Sequence, residues 1–306
     1  MTRVSSFGHN QAMINGLLRN QQQLMETQQQ INTGKKANDY AGLSREVSPL
    51  IGAQTEKART DQYIAAVEEV TGKLDFNDLH LTRMYDETKS LRSTILDGMA
   101  AGEFSAFDEK LQQTFESVIS ALNAKVGGDF LFGGTRSDTK PVTINSLSDL
   151  IALPNASDAF QNGRIKPSAK VDDGVTVEYG MLAEEIGTDV LASLKRIADY
   201  QDTNGPIEGK LTAAERSFLE TELGNIKSAL EGLTSKTVEN GIRTNQVKEI
   251  QGRHESAETF LKTFISDIED VDIAEAISRL KQNQVALEGS LRVMSQLSRV
   301  SLLDYI

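Results

Sequence analysis

Between Tyr63 and Ile95 the chain places Tyr63, Val67, Val70, Leu74, Asn77, Leu81, Met84, Thr88, Leu91 and Ile95 at intervals alternating four and three residues. That alternation puts all ten on one face of an α-helix, and eight of them are apolar or aromatic. The stripe sits in residues 50–140, which contain no proline, the residue that most surely interrupts a helix. The spacing predicts one helix from about Ser44 to Gly98, roughly 80 Å long at 1.5 Å per residue. A rod needs such a helix; a globular core rarely does.

The same pattern returns at both ends. Near the N-terminus, Ile14, Leu17, Gln21, Leu24, Gln28 and Ile31 form a shorter stripe, widened by Leu18 and Met25. Residues 207–306 are also free of proline and carry two seams. The first runs through Val247, Ile250, His254, Ala257, Leu261, Phe264, Ile268 and Val271, and the second through Ile273, Ile277, Leu280, Gln284, Leu287, Leu291 and Met294. The phase shift falls in Asp267–Asp272, whose aspartates suit the start of a new helix. Three of the five prolines crowd residues 141–167, which read as loops and short strands, and Lys170–Tyr179 reads as a hairpin turning at Asp173-Gly174.

The predicted fold is therefore mainly α, an elongated helical rod with a small β-containing middle domain and with the N- and C-terminal helices paired. The expected segments are an assembly helix and loop over 1–42, rod over 43–137, a β-containing outer domain over 138–184, rod again over 185–269 and a terminal assembly helix over 270–306. Chain ends fray unless they dock. Strong seams running toward Ile306 thus call for burial, either of one terminus on the other or of both in a polymer. The candidate assembly residues are Ile14, Leu17, Leu18, Leu24, Ile31, Ile277, Leu280, Leu287, Leu291 and Met294.

Little in the chain suggests catalysis. It has no cysteine, which removes disulfides, thiolate nucleophiles and cysteine-based metal sites. His9, His80 and His254 lie far apart and outside any metal-binding spacing. Gly127-Gly128 and Gly133-Gly134 lack the Lys-Ser/Thr of a phosphate loop and read as turns. The carboxylates of Asp267–Asp272 lack the spacing of a calcium loop, so a capped helix junction is the simpler reading. No cofactor or metal is expected. A net charge of −12 argues against nucleic acid and anionic membrane as partners. No apolar run approaches a bilayer span and Met1–Ala12 lacks a signal-peptide core, so neither membrane insertion nor a cleaved signal is expected.

Three segments resemble the flagellin family. Ile31-Asn32-Thr33-Gly34-Lys35-Lys36-Ala37-Asn38-Asp39-Tyr40-Ala41-Gly42 is similar to its "STGKRVN…D-A-GL" segment, though shorter after Gly34. Asp267–Glu275 is similar to its "IED-D-A-E" segment, and Ser301-Leu302-Leu303 to its terminal "LSLL". The likeness covers about residues 1–100 and 235–306. In addition Phe130–Val142 is similar to a segment of family members that join hook to filament, and is less usual in those that form the filament. The resemblance implies a structural, non-enzymatic subunit of the bacterial flagellum, placed at the hook–filament junction, with a filament-forming flagellin as the alternative. It also implies an extracellular location reached by flagellar type III export. The partners it implies are hook-associated proteins, flagellin, copies of the chain itself and an export chaperone. A soluble coiled-coil adaptor and an enzyme are the competing readings from other classes.

Overall fold

A computed structural model describes the backbone of residues 2–303, and the side chains of these except 2–7, 9, 10, 44 and 297–303. The side chain of His9 and those of Ser301-Leu302-Leu303 lie outside that set. The elements in order are α1 (Thr2–Thr33), a 3-10 turn (Tyr40–Glu46), α2 (Val47–Ala101), β1 (Glu103–Phe104), α3 (Phe107–Leu122), β2 (Lys125–Val126) and β3 (Asp129–Phe130). There follow α4 (Leu147–Ala152), a second 3-10 turn (Ala156–Ala159), β4 (Ser168–Asp172), β5 (Val175–Glu178), α5 (Ala183–Asn204), β6 (Gly209–Lys210), α6 (Ala213–Glu269) and α7 (Ile273–Leu303). The fold is mainly α, and its strands form three two-stranded antiparallel pairs, β1–β6, β2–β3 and β4–β5.

Local chemistry sets the ends of the helices. Pro49 falls in the first turn of α2, where its missing N–H costs nothing. Gly102, at φ +77°, stops that helix, and its carbonyl accepts the amide of Leu211 at 2.9 Å. A capping box opens α6: Glu215 donates its amide to the Thr212 hydroxyl at 3.2 Å, and the Glu215 carboxylate accepts the Thr212 amide at 2.7 Å. Gly205 and Pro206 end α5. The chain divides into two compact units, Met1–Thr60 with Ser256–Ile306, and Asp61–Glu255.

The unit of residues 61–255 holds the main core. The predicted stripe of α2 is buried from Val67 to Ile95 without a break, with Tyr63 half-buried at its start. Leu81, Met84, Leu91 and Ile95 share one cluster with Phe107, Leu111, Phe115 and Leu122 of α3, with Ile186, Leu191, Leu194 and Ile197 of α5, and with Leu219, Ile226 and Leu233 of α6. Each such side chain contributes about 1.5–3 kcal/mol by leaving water. A second cluster joins Val67, Val70, Leu74, Val247 and Ile250 to Val171 and Val177 of the hairpin β4–β5. The hairpin turns at Asp173-Gly174 as its dipeptide predicts, with Gly174 at φ +73°.

Two buried asparagines interrupt the apolar seam between α2 and α6. Asn240 donates to the Leu74 carbonyl at 2.8 Å, and Asn77 donates to the Tyr179 carbonyl at 3.0 Å. A polar pair in a helical seam costs stability and specifies register, because sliding either helix strands it without partners. His254, also in the seam, makes a 2.8 Å hydrogen bond with the Val171 carbonyl and stacks on Tyr63. The neighbouring seam position does not follow the prediction. Ala257 is exposed, and the adjacent Glu258 is half-buried.

Phe130–Val142 contributes a packing centre through Phe132, Gly133 and Gly134, while Thr135, Arg136 and Asp138 are exposed. Phe132 is fully buried, its carbonyl accepts the Ala183 amide at 3.1 Å, and its ring meets His80 edge-on. A Cβ at Gly133 would fall 2.7 Å from the Arg136 carbonyl oxygen, and one at Gly134 would fall 2.6 Å from that of Gly163. These glycines therefore bring three backbone segments closer than any side chain allows. Replacing Phe132 with Ala should lower unfolding free energy by about 3–5 kcal/mol, read from chemical denaturation. A loss below about 1 kcal/mol would show that the segment is not a packing centre.

Candidate assembly site

The two segments that resemble flagellin at either end of the chain meet in space. Gly34 adopts φ +73° after donating to the Gln30 carbonyl at 2.8 Å, so α1 stops and the chain turns. Beyond it, Lys36 donates its amide to the Glu269 carbonyl at 2.7 Å, and Val271 donates to the Gly34 carbonyl at 2.9 Å. Side chains reinforce this short bridge. The Lys35 ammonium donates to Glu269 at 2.8 Å and to Asp270 at 2.6 Å. Gln54 donates to the other oxygen of Glu269 at 2.6 Å, and Ser266 to the other oxygen of Asp270 at 2.5 Å. Asp272 then caps α7, accepting the amides of Ala274 at 2.8 Å and Glu275 at 3.1 Å. The carboxylates of this segment thus serve a clasp and a cap. Among the described residues, no cluster of three or more His, Cys, Asp or Glu is placed to hold a metal.

From the clasp, α1 and α7 run antiparallel, and polar rungs join them. Asn20 donates to the Ser290 hydroxyl at 2.9 Å, Asn283 to the Thr27 hydroxyl at 3.0 Å, and Arg279 to Gln30 at 3.5 Å. These rungs settle which face of each helix is inward. On α1 the face is Met13, Leu17, Asn20, Leu24, Thr27 and Ile31; on α7 it is Ala276, Leu280, Asn283, Leu287, Ser290 and Met294. Both sets alternate four and three, offset by one residue from the predicted stripes at alternate turns. Gln21, Gln28, Ile277 and Leu291 accordingly face away. Hydrophobicity alone could not find this phase, because Asn20, Thr27, Asn283 and Ser290 look like surface residues until their partners are known.

The candidate assembly residues therefore divide. Ile14, Leu17, Leu24, Ile31, Leu280, Leu287 and Met294 are half-buried, in or beside the intramolecular seam. Leu18, Ile277 and Leu291 are exposed, and so are Met25, Ile273, Val285 and Val293 on the same two helices. In α1 only Thr27, and in α7 only Ala276, is fully buried among the described side chains. Two helices that cover so little of their apolar surface by pairing retain a large unpartnered face. No helix among the described residues is long and apolar enough to cross a membrane.

The family models for the bacterial flagellin N-terminal helical region and the bacterial flagellin C-terminal helical region match residues 4–137 and 223–306. Two segments from opposite ends of the chain thus match the two helical regions of one family, and the clasp joins them: the chain belongs to the flagellin family. Among characterised relatives it is 18% identical to flagellar hook-associated protein 3 of Salmonella typhimurium, over 98% of each chain. Among solved structures it is similar to a flagellar hook-associated protein from Vibrio parahaemolyticus, with a TM-score of 0.58 and 21% identity over 73% of this chain and 97% of that one. Bacillus cereus FlgL gives a TM-score of 0.58 at 17% identity over 70% of this chain and 98% of that one.

The clasp has a defined pH range. Hydrogen bonds from Lys35 and then Ser266 hold the Asp270 carboxyl below its ordinary value of 3.8. Hydrogen bonds to Asp270 and Glu269 raise the Lys35 ammonium above 10.5. The contribution of Asp270 is therefore complete above the ordinary carboxylate value and is lost as pH falls through the lowered one. That of Lys35 is complete below 10.5 and is lost as pH rises through the raised value. As an exposed pair they contribute about 0–1 kcal/mol. Amide exchange at Lys36 and Val271, corrected for intrinsic rate, should stay slow and flat from about pH 5 to 10 and accelerate in stronger acid. In Lys35→Met it should be faster throughout, and unchanged protection in that variant would remove the clasp from the account.

Proposed function

We propose that the chain is a structural, non-catalytic subunit of the flagellar axial assembly that joins hook to filament. The observation that carries this reading is the exposed apolar face of the α1–α7 pair. Leu18, Met25, Ile277, Val285 and Leu291 stand outside the intramolecular seam, on helices that the polar rungs already hold in register. A face of that kind is complete only when other helices cover it. Charge distribution supports packing there. Residues 1–60 and 256–306 contain 12 Lys and Arg against 12 Asp and Glu, while residues 61–255 contain 20 against 32 and carry the whole net charge of −12. A neutral unit packs against its own kind without mutual repulsion. The relative named hook-associated protein 3, matched end to end, favours the junction over the filament.

On this reading the partners are hook-associated proteins, flagellin and further copies of the chain. An export chaperone covers the apolar face before assembly, and flagellar type III export, without a cleaved signal, delivers the subunit outside the cell. Candidate contacts with neighbours are the exposed Leu18, Ile277 and Leu291, with Ile14, Leu17, Leu24, Ile31, Leu280, Leu287 and Met294 shared between the seam and its margins.

Deleting the gene tests the junction assignment directly. Cells should keep their hooks and shed flagellin into the medium; loss of only part of the filament would instead make this chain one flagellin among several. A substitution tests the surface. Leu291→Asp places a charge where about 1.5–3 kcal/mol of apolar burial is expected on assembly. Because Leu291 lies outside the intramolecular seam, the variant should fold normally by circular dichroism yet fail to enter the flagellum. Normal incorporation would show that this face of α7 is not an intersubunit surface.

A further inference from the structure

In the unit of residues 61–255, α3 and α5 lie antiparallel, and the two ends of this helix pair carry complementary features. At one end Gly187 packs on Leu122; at the other Gln201 donates to Asp108. From Gly187 to Gln201 the distance along α5 is about 21 Å at 1.5 Å per residue.

The first end presents a rigid knob. The segment before β4 is tied down by Gly163, which donates to the Gly133 carbonyl at 2.8 Å, and by Pro167, whose carbonyl accepts the amides of Tyr179 at 3.2 Å and Gly180 at 3.0 Å. Lys166 is engaged with Glu185 at 2.9 Å. Between these anchors Arg164 and Ile165 face solvent. Ile165 is 68% exposed, the most exposed large hydrophobic residue of 61–255, and Arg164 takes part in no ion pair among the described residues. A loop held this firmly presents Ile165 at little further entropic cost.

The second end presents a socket. A cavity of about 590 Å³ opens there, with Leu147 and Ile151 of α4 on its apolar floor. Asp108, Glu109 and Glu116 of α3 and Asp202 of α5 stand around it, and no Lys or Arg lines it. None of the four carboxylates takes part in an ion pair among the described residues, though Asp108 accepts from Gln201 and Glu116 from Gln112 at 2.7 Å. The lining suits an apolar group beside a cation. It repels nucleic acid and anionic lipid, and it holds no metal-type cluster among the described residues.

We infer that the Arg164–Ile165 loop of one copy seats in this cavity of a second copy, with Ile165 on Leu147 and Ile151 and the Arg164 guanidinium among the four carboxylates. The same chain cannot satisfy itself, because the anchored loop and the cavity lie at opposite ends of one helix pair. The contact joins unlike faces, so it passes from copy to copy and ends only by closing a ring. It rests on residues 61–255 alone and does not depend on the junction assignment.

The absence of cysteine makes the test clean. Full-length Ile165→Cys and Gln113→Cys chains, both substituted at exposed positions, are mixed in low salt and oxidised, after circular dichroism has verified each fold. Gln113 lines the cavity; Ser120→Cys, exposed on α3 beyond it, replaces Gln113→Cys in the control. The 165–113 heterodimer should exceed the control by at least about fivefold. Adding Arg164→Glu, or raising salt to about 0.5 M, should cut its yield severalfold. Glu116→Arg in the cavity-bearing chain should restore the yield with Arg164→Glu. A yield equal to the control, or one indifferent to both charge reversals, would overturn the contact, including the case in which a segment of some other protein fills the cavity.

Discussion

Lys35 and Glu269 are 234 residues apart, and the backbone bridge beside them brings the two ends of the chain together. Everything about the terminal helix pair follows from that closure. Gly34 can make the turn because it tolerates φ +73°, and Asp272 restarts the helix on the other side. With both turns fixed, α1 and α7 leave the clasp in opposite chain directions and side by side. The ion pairs of Lys35 are partly exposed and individually weak. Their value lies in adding to the backbone bonds of Lys36 to Glu269 and Val271 to Gly34 and to the side-chain bond of Gln54 to Glu269, which hold the same two segments together.

Register along the helices is set by polar groups rather than by apolar ones. Leu and Ile can repack against other apolar side chains after a shift at a smaller cost than a buried amide that loses its partner. Asn283 on Thr27 and Asn240 on the Leu74 carbonyl cannot, because a displaced amide loses its partner inside the seam. Using polar residues inward has a second effect. It leaves Leu18, Ile277 and Leu291 free on the outside, where a purely apolar intramolecular seam would have consumed them. The same economy recurs in residues 61–255, where a tightly packed glycine turn holds Ile165 in water.

The two compact units differ in electrostatic character, and this bears on what each can do. The neutral unit, with 12 charges of each sign, has an apolar face and few deep side chains. The acidic unit has the large core and a net charge of −12, so a contact between its copies works against mutual repulsion that a cation at the interface relieves. Arg164 beside an exposed isoleucine, and a carboxylate-rimmed cavity free of cations, are the places where that need could be met.

Much of the fold was legible from residue spacing. The unbroken stripe from Val67 to Ile95, the change of phase at Asp267–Asp272 and the Asp173-Gly174 turn all follow from local rules: helical period, aspartate capping and glycine at positive φ. Those rules act within a few residues, so a linear reading captures them. The inward face of α1 and α7 was not legible, and the predicted stripes missed it at Asn20, Thr27, Asn283 and Ser290. Whether an asparagine faces water or a seam depends on an acceptor some 250 residues away, and no local pattern encodes that distance. The sequence by itself determined where helices start, stop and carry apolar stripes, because backbone sterics and hydrophobic period are properties of neighbours. Only the tertiary structure decided which edge of each stripe is spent inside the chain and which is left for another molecule, because that choice is made by hydrogen-bond partners the chain meets only when it folds.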